Sequence, residues 1–396
     1  MDVSVALEFR FYRTPDGKVW SPNIFGYSFW QRYLKVFDTV RVGAAVSDVD
    51  SVPGSWRRAD GDRVQFVSFP HDTGLLRYLA DSENLEKTAR LLTDNGNAVI
   101  LRVPAIIAHL VVPLLHTTGQ PYGVEVTTDP YGFYSPGSTE HPLRPFMQRY
   151  FTWHQRRQCS TAYAVSYATK NFLQELYPGG GLTTHYSNVE LSQSDLLSKP
   201  YTADDYRKKN FRIVFVGTLH NYVKSPDVLL RAVSLCIQRG MDVRLCMIGE
   251  GSKRPEVEKI AESLALSGRV TFVGNVSSKE AVTAELDASD LFILPSRTET
   301  IPRAMVEAMA RALPCIGSQA GGIPELLAPE DLVPPGSETA LADKIFEVLN
   351  DPVRMVLMSA RNLETAGSYC NEVLDTKRVE FYSWIKDATE EWLVRR

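Results

Sequence analysis

Two doubly wound, Rossmann-like α/β domains facing across a cleft are the architecture that this chain of 396 residues predicts. Three observations carry it. The length suffices for two hydrophobic cores. Short runs rich in Val, Ile, Leu and Phe, mostly ending at Gly, Pro or Ser, alternate with amphipathic helical patterns, which implies parallel sheets covered by helices. A polar, charged segment at residues 196–210 reads as a linker between residues 1–200 and residues 211–371.

In chain order, the first half offers strands at residues 3–9, 40–46, 63–69, 98–103, 123–128 and 162–166. Its longest apolar run, residues 106–115, is too short to span a bilayer and contains His109. Residues 143–158 mix Arg144, Arg149, Arg156 and Arg157 with Phe146, Tyr150, Phe151 and Trp153. Such a helix can lie on an anionic membrane, but burial of its aromatic face in the core is the plainer account. The second half offers strands at residues 212–217, 243–249, 270–274, 290–295 and 314–318. Between the first two, residues 227–239 place Val228, Leu229, Ala232, Leu235 and Cys236 on one helical face. The stretch 372–396, with Val379, Tyr382, Ile385 and Trp392, is expected to pack back on the first domain.

Composition narrows the function classes. A net charge of −4 gives no nucleic-acid signature. Five cysteines without a C-x-x-C pair read as buried reduced thiols. The start MDVSVALEF lacks a signal-peptide pattern, so a cytoplasmic location is expected. Gly249-Glu250-Gly251 and Gly274-Asn275-Val276 end two strands, but neither is a G-x-G-x-x-G fingerprint, so no redox cofactor is expected. Asp48-Val49-Asp50 reads as a solvated loop, and with no Cys/His cluster or H-E-x-x-H no metal is expected either.

The most telling stretch is residues 296–325. Glu299 follows a strand on a loop, and Glu307 lies eight residues on, in a helix opening at Pro302. A helix start attracts anions through its uncapped amides and dipole. Carboxylates beside a phosphate cannot grip it, but they accept hydrogen bonds from sugar hydroxyls. A ligand with phosphates between two polyols is a nucleotide sugar.

Residues 211–350 resemble the donor-binding domain of family 4 glycosyltransferases, retaining enzymes of the GT-B fold. The resemblance rests on Glu299, Glu307, Gly321-Gly322-Ile323-Pro324-Glu325 and the flanking DLFILPSRTE and AMARALPCIGS. It implies that Glu299 binds hydroxyls of the donor sugar and Glu307 those of the ribose. The amides of Ile301 to Arg303 would hold the diphosphate, with Pro302 only fixing the backbone. Thr300-Ile301-Pro302 stands where the family usually has a glycine-rich turn, and Thr218 after Gly217 where an arginine is usual. Lys224 fills the family's lysine position one residue late. A cation ahead of a helix opposes the dipole, and a bound diphosphate would account for it. Gly274-Asn275 would approach the nucleobase, and Gly249 would belong to the donor site.

The first half should hold the acceptor, and its resemblance is weaker. Residues 21–27 replace the usual Gly-Gly loop. Asp129 stands near a position where many relatives carry a histidine beside the donor sugar; an Asx turn before Pro130 accounts for it equally. Ser166 and Asn188 are weaker candidates. The implied activity is metal-independent, retaining, hexosyltransferase-type transfer from a UDP-linked sugar, in polysaccharide or lipid-linked glycan assembly, with peripheral membrane association conceivable. Alternatives are glycosylation of a small natural product, or a non-catalytic sugar-nucleotide-binding regulatory partner.

Overall fold

A computed structural model describes residues 1–22, 24–70, 82–94, 96–139, 141–276 and 278–396. Asn23, in the stretch 21–27, lies outside the described residues. The chain forms two units. One comprises Met1–Thr128, Tyr150–Tyr186 and Asp375–Arg396, and the other Asp129–Arg149 and Ser187–Leu374.

The first unit is built on nine strands among the described residues: β1 (Val3–Arg13), β2 (Val19–Ser21), β3 (Val40–Asp48), β4 (Arg57–Arg58), β5 (Val64–Phe69), β6 (Ala98–Val103), β7 (Gly123–Val126), β8 (Ala164–Tyr167) and β9 (Leu182–His185). Seven run parallel in the order β5-β3-β1-β6-β7-β8-β9. β2 pairs antiparallel with β1, and β4 with β2. The helices are α1 (Tyr27–Trp30), α2 (Ser82–Arg90) and α3 (Ile106–Thr118), then α4 (Pro130–Phe133), α5 (Arg144–Thr161) and α6 (Phe172–Leu176). α4 and the start of α5 belong to the second unit.

β6 is buried at every position, as a central parallel strand covered on both faces must be. Its Val99 and Leu101 lie in one apolar cluster with Ile107, Val111 and Leu115 of α3. A fully buried side chain of this size contributes about 1.5–3 kcal/mol. The same core holds a polar knot. Arg102 of β6 pairs with Glu125 of β7, and the hydroxyls of Tyr33, Tyr186 and Tyr382 donate to that carboxylate. Burial alone would raise the Glu125 carboxyl, but Arg102 and the tyrosine hydroxyls outweigh it and hold it below the usual range. Ser166 donates to Tyr186 at 3.0 Å, which places this candidate in the knot rather than at a binding surface.

α5 reverses the burial expected of it. Thr152, Gln155, Gln158 and Cys159 are its buried residues, while Phe146 and Trp153 are more than half exposed. Arg157 lies over the Trp153 ring at 5.5 Å. On this buried face the Gln155 side chain donates to the Thr128 carbonyl at 3.0 Å, and the Gln158 backbone carbonyl accepts from the Tyr122 hydroxyl at 3.2 Å.

The second unit carries a six-stranded parallel sheet: β10 (Asn210–Val216), β11 (Asp242–Ile248), β12 (Val270–Gly274), β13 (Leu291–Leu294), β14 (Cys315–Ser318) and β15 (Leu332–Val333), in the order β12-β11-β10-β13-β14-β15. Its helices are α7 (Ala203–Tyr206), α8 (Pro226–Gln238), α9 (Arg254–Ser263), α10 (Lys279–Asp287), α11 (Arg303–Ala310), α12 (Glu338–Leu349), α13 (Pro352–Gly367) and α14 (Asn371–Arg395). α14 passes from this unit to the first, where Phe381, Tyr382 and Ile385 are buried. Residues 196–210 are not a free linker. The Leu197 amide donates to the Ala310 carbonyl, that of Tyr201 to Ser359, and Tyr206 is buried. All five cysteines are buried and free.

Candidate active site

The sheet order of the second unit reverses direction between β10 and β13, which are hydrogen-bonded neighbours. Ligands of doubly wound sheets bind beyond the strand carboxyl ends at such a switch point. The loops leaving these two strands carry Lys224 and Glu299, which form an ion pair with both side chains largely buried. Ser296 also donates to Glu299, at 3.5 Å. Two charges 75 residues apart in sequence thus meet.

Glycines set the loop shapes. Gly321, at φ +59°, presses on the loop of Glu299, whose carbonyl accepts from the Gly322 amide at 3.3 Å. A Cβ on Gly321 would lie 2.7 Å from the Glu299 carbonyl carbon and closer still to its oxygen. Gly249, at φ +143°, abuts Gly217 in the same way, with 2.9 Å to its carbonyl carbon. The Gly249 amide donates to the Gly274 carbonyl at 2.9 Å. The turns after β10, β11 and β12 are therefore laid against one another. Thr218 and Asn275 are exposed on these turns. Thr218 accepts from the His220 amide at 3.3 Å, and His220 Nδ1 accepts from the Ser252 amide at 3.2 Å.

Pro302 is the N-cap of α11, and its carbonyl accepts from Met305 and Val306. The amides of Arg303 and Ala304 precede Met305, the first intrahelical donor, as the opening amides of a helix do. Ile301 is buried in the core, Thr300 is partly exposed and Arg303 is exposed. Burial lifts the Glu307 carboxyl above the usual range, against the pull of Arg303 and Lys279.

Asp129 behaves as the turn alternative requires. It caps α4, accepting from the Tyr131 and Gly132 amides at 2.9 Å each, and is almost fully buried. Its segment nevertheless reaches the loop that carries Glu299. A Cβ on Gly132 would lie 3.3 Å from Thr298 Cβ and closer to its hydroxyl, beside the residue that precedes Glu299. The residues that sequence reasoning missed are Arg297 and Asp227. The Arg297 guanidinium forks onto the Asp227 carboxylate at 3.1 and 2.9 Å. Arg297 stood in plain view beside Glu299, but nothing local marks its partner 70 residues earlier.

Among the described residues no group of His, Cys, Asp and Glu side chains could hold a metal ion. No helix among them is long and apolar enough to cross a membrane.

Residues 210–351 match the family Glycosyl transferases group 1. Protein CapJ of Staphylococcus aureus is 25% identical over 314 residues, covering 78% of this chain and 77% of its own length. The structure of sucrose-phosphate synthase from Thermosynechococcus elongatus has a TM-score of 0.68 at 17% identity, over 98% of this chain and 100% of that one. That of HepE from Anabaena in complex with UDP-glucose has a TM-score of 0.64 at 16% identity, over 99% and 100%. Two Rossmann-like units with these neighbours define the GT-B fold. Within this fold, residues 210–351 form the part that is similar to group 1 glycosyl transferases.

Proposed function

We propose that the enzyme transfers a hexosyl group from a UDP-linked donor to an acceptor hydroxyl with retention of configuration. The observation that carries this reading is the meeting of Lys224 and Glu299 at the β10/β13 switch point, next to the start of α11. Lys224 and the amides of Ile301 and Arg303 would neutralise charge developing on the leaving diphosphate. Glu299 would hold the sugar hydroxyls and Glu307 the ribose. Gly217, Thr218, Gly249, Gly274 and Asn275 would line the nucleotide, and Thr300 and Pro302 would shape the loop between. In a front-face route the bond from the anomeric carbon to phosphate breaks as the acceptor oxygen bonds on the same face. The departing phosphate oxygen takes the acceptor proton. Asp129 contributes by fixing the α4 turn against the Thr298 loop. No metal is required, because fixed positive groups do the work a cation would do.

The acceptor belongs to polysaccharide or lipid-linked glycan assembly at the inner face of a membrane. Exposed Phe146 and Trp153 on a helix bearing Arg149, Arg156 and Arg157 and no acidic residue support a peripheral membrane contact. UDP is supported by the UDP-glucose complex of HepE, a protein of the same fold. The test is incubation with a panel of nucleotide sugars, with and without acceptor extracts. Release of UDP that depends on acceptor and persists in chelator is expected. Activity abolished by chelator and restored by manganese would overturn the metal-free reading, and GDP release in place of UDP would overturn the base.

A further inference from the structure

We infer that Arg297 is a positioning residue that sets Lys224 against Glu299. The inference rests on the donor-site reading above. Lys224 sits on the turn between β10 and α8, and this turn is awkward. Ser225, next to Lys224, is fully buried at φ +53°, a left-handed conformation that residues other than glycine seldom adopt. Such a conformation persists only when its surroundings over-determine it. Arg297 supplies that determination. Its Nη1 donates to the Ser225 hydroxyl at 3.0 Å and to the Tyr222 carbonyl, and its amide donates to the Val223 carbonyl at 2.7 Å. Both guanidinium nitrogens reach Asp227 at the start of α8. Residues on both sides of Lys224 are therefore held by one side chain and its backbone.

Arg297 also stands two residues before Glu299, so it ties the loop of the cation to the loop of the carboxylate. Incoming diphosphate must separate Lys224 from Glu299, and without Arg297 the turn would then relax. Asp227 keeps the guanidinium charge compensated and turned away from Lys224, and a bidentate fork does this where a point charge would not. The expected loss falls on turnover, where an error of about 1 Å costs about 100-fold, rather than on ground-state nucleotide affinity.

The test uses the full chain with Arg297→Gln, Arg297→Lys and Asp227→Asn, and two readouts. The first is amine acylation of Lys224 followed by mass spectrometry, which needs no substrate. Labelling is expected to rise about fivefold or more in Arg297→Gln, as in Glu299→Ala, because the ion pair loosens. The second is UDP release. Arg297→Gln and Asp227→Asn are each expected to lower kcat about 30- to 100-fold with the Kd for UDP within about threefold, and the double variant to be no worse than either alone. Arg297→Lys should recover little. A merely structural role would lower thermal stability without changing kcat per folded molecule. Unchanged Lys224 labelling in Arg297→Gln overturns the inference, and so does a kcat near wild type. If wild type releases no UDP from any donor, the donor-site reading falls while the labelling still decides the positioning.

Discussion

Replacing Gly321 with alanine should separate the shape of the site from the stability of the fold. The new methyl would stand 2.7 Å from the Glu299 carbonyl carbon, whereas ordinary contacts begin near 3.4 Å. With the carbonyl oxygen nearer still, the Glu299 loop must withdraw by about 1 Å. The left-handed φ costs about 1 kcal/mol for any side chain. Loss of the Gly322 hydrogen bond costs about 1 kcal/mol more, and overpacking about 1 kcal/mol again. A destabilisation of about 3 kcal/mol is expected, with kcat/KM down about 100-fold because the displaced residue is Glu299 itself. Gly240→Ala is the control. It has a similar φ of +88° but nothing within 4 Å, so it should cost about 1 kcal/mol and leave turnover unchanged. Urea denaturation gives the stabilities, and UDP release at a temperature where both variants are folded gives the rates. If Gly321→Ala works at the wild-type rate while folded, the glycine does not shape the Glu299 loop. Equal losses in the two variants would refute the clash argument.

Lys224→Ala should lower kcat about 100- to 1,000-fold, as loss of a charge-stabilising group does, and wild-type turnover would remove it from the site. Glu125→Gln leaves Arg102 buried without its counter-charge, so unfolding free energy should fall by about 3–5 kcal/mol in denaturant titration; a change under about 1 kcal/mol would show that the tyrosines suffice. His109 stacks on His154 at 3.9 Å and meets the Tyr150 hydroxyl at 3.2 Å. Burial, and then His154, push its pKa down to about 3. A depressed histidine binds fewer protons folded than unfolded, so its contribution is full above the unfolded value of about 6.5 and is lost as pH falls towards 3. His109→Gln should flatten the stability slope between pH 6 and 4 by up to about 1.4 kcal/mol per pH unit; parallel slopes would contradict the burial argument.

Where signals were local, the sequence was readable. β6 and β13 fall where their apolar runs lie, because a buried parallel strand must be apolar throughout, and a proline follows each. β9, with exposed Leu182 and Thr183, and the two-residue β15 carry no such run and were missed. The short antiparallel β2 and β4 were missed for the same reason. Glu299, Glu307 and the glycines of 321–322 were legible because their spacing is a property of one turn and one helix.

By itself, then, the sequence determined two doubly wound units and, in the second, a loop–helix that carries Glu299 and Glu307. Tertiary structure alone decided which loops meet. β10 neighbours β13 because the sheet reverses there, and that neighbourhood brings Lys224 to Glu299 and Arg297 to Asp227. It also decided that α5 buries its glutamines and exposes its tryptophan, since a helical period shows that faces differ but not which one the rest of the protein will cover.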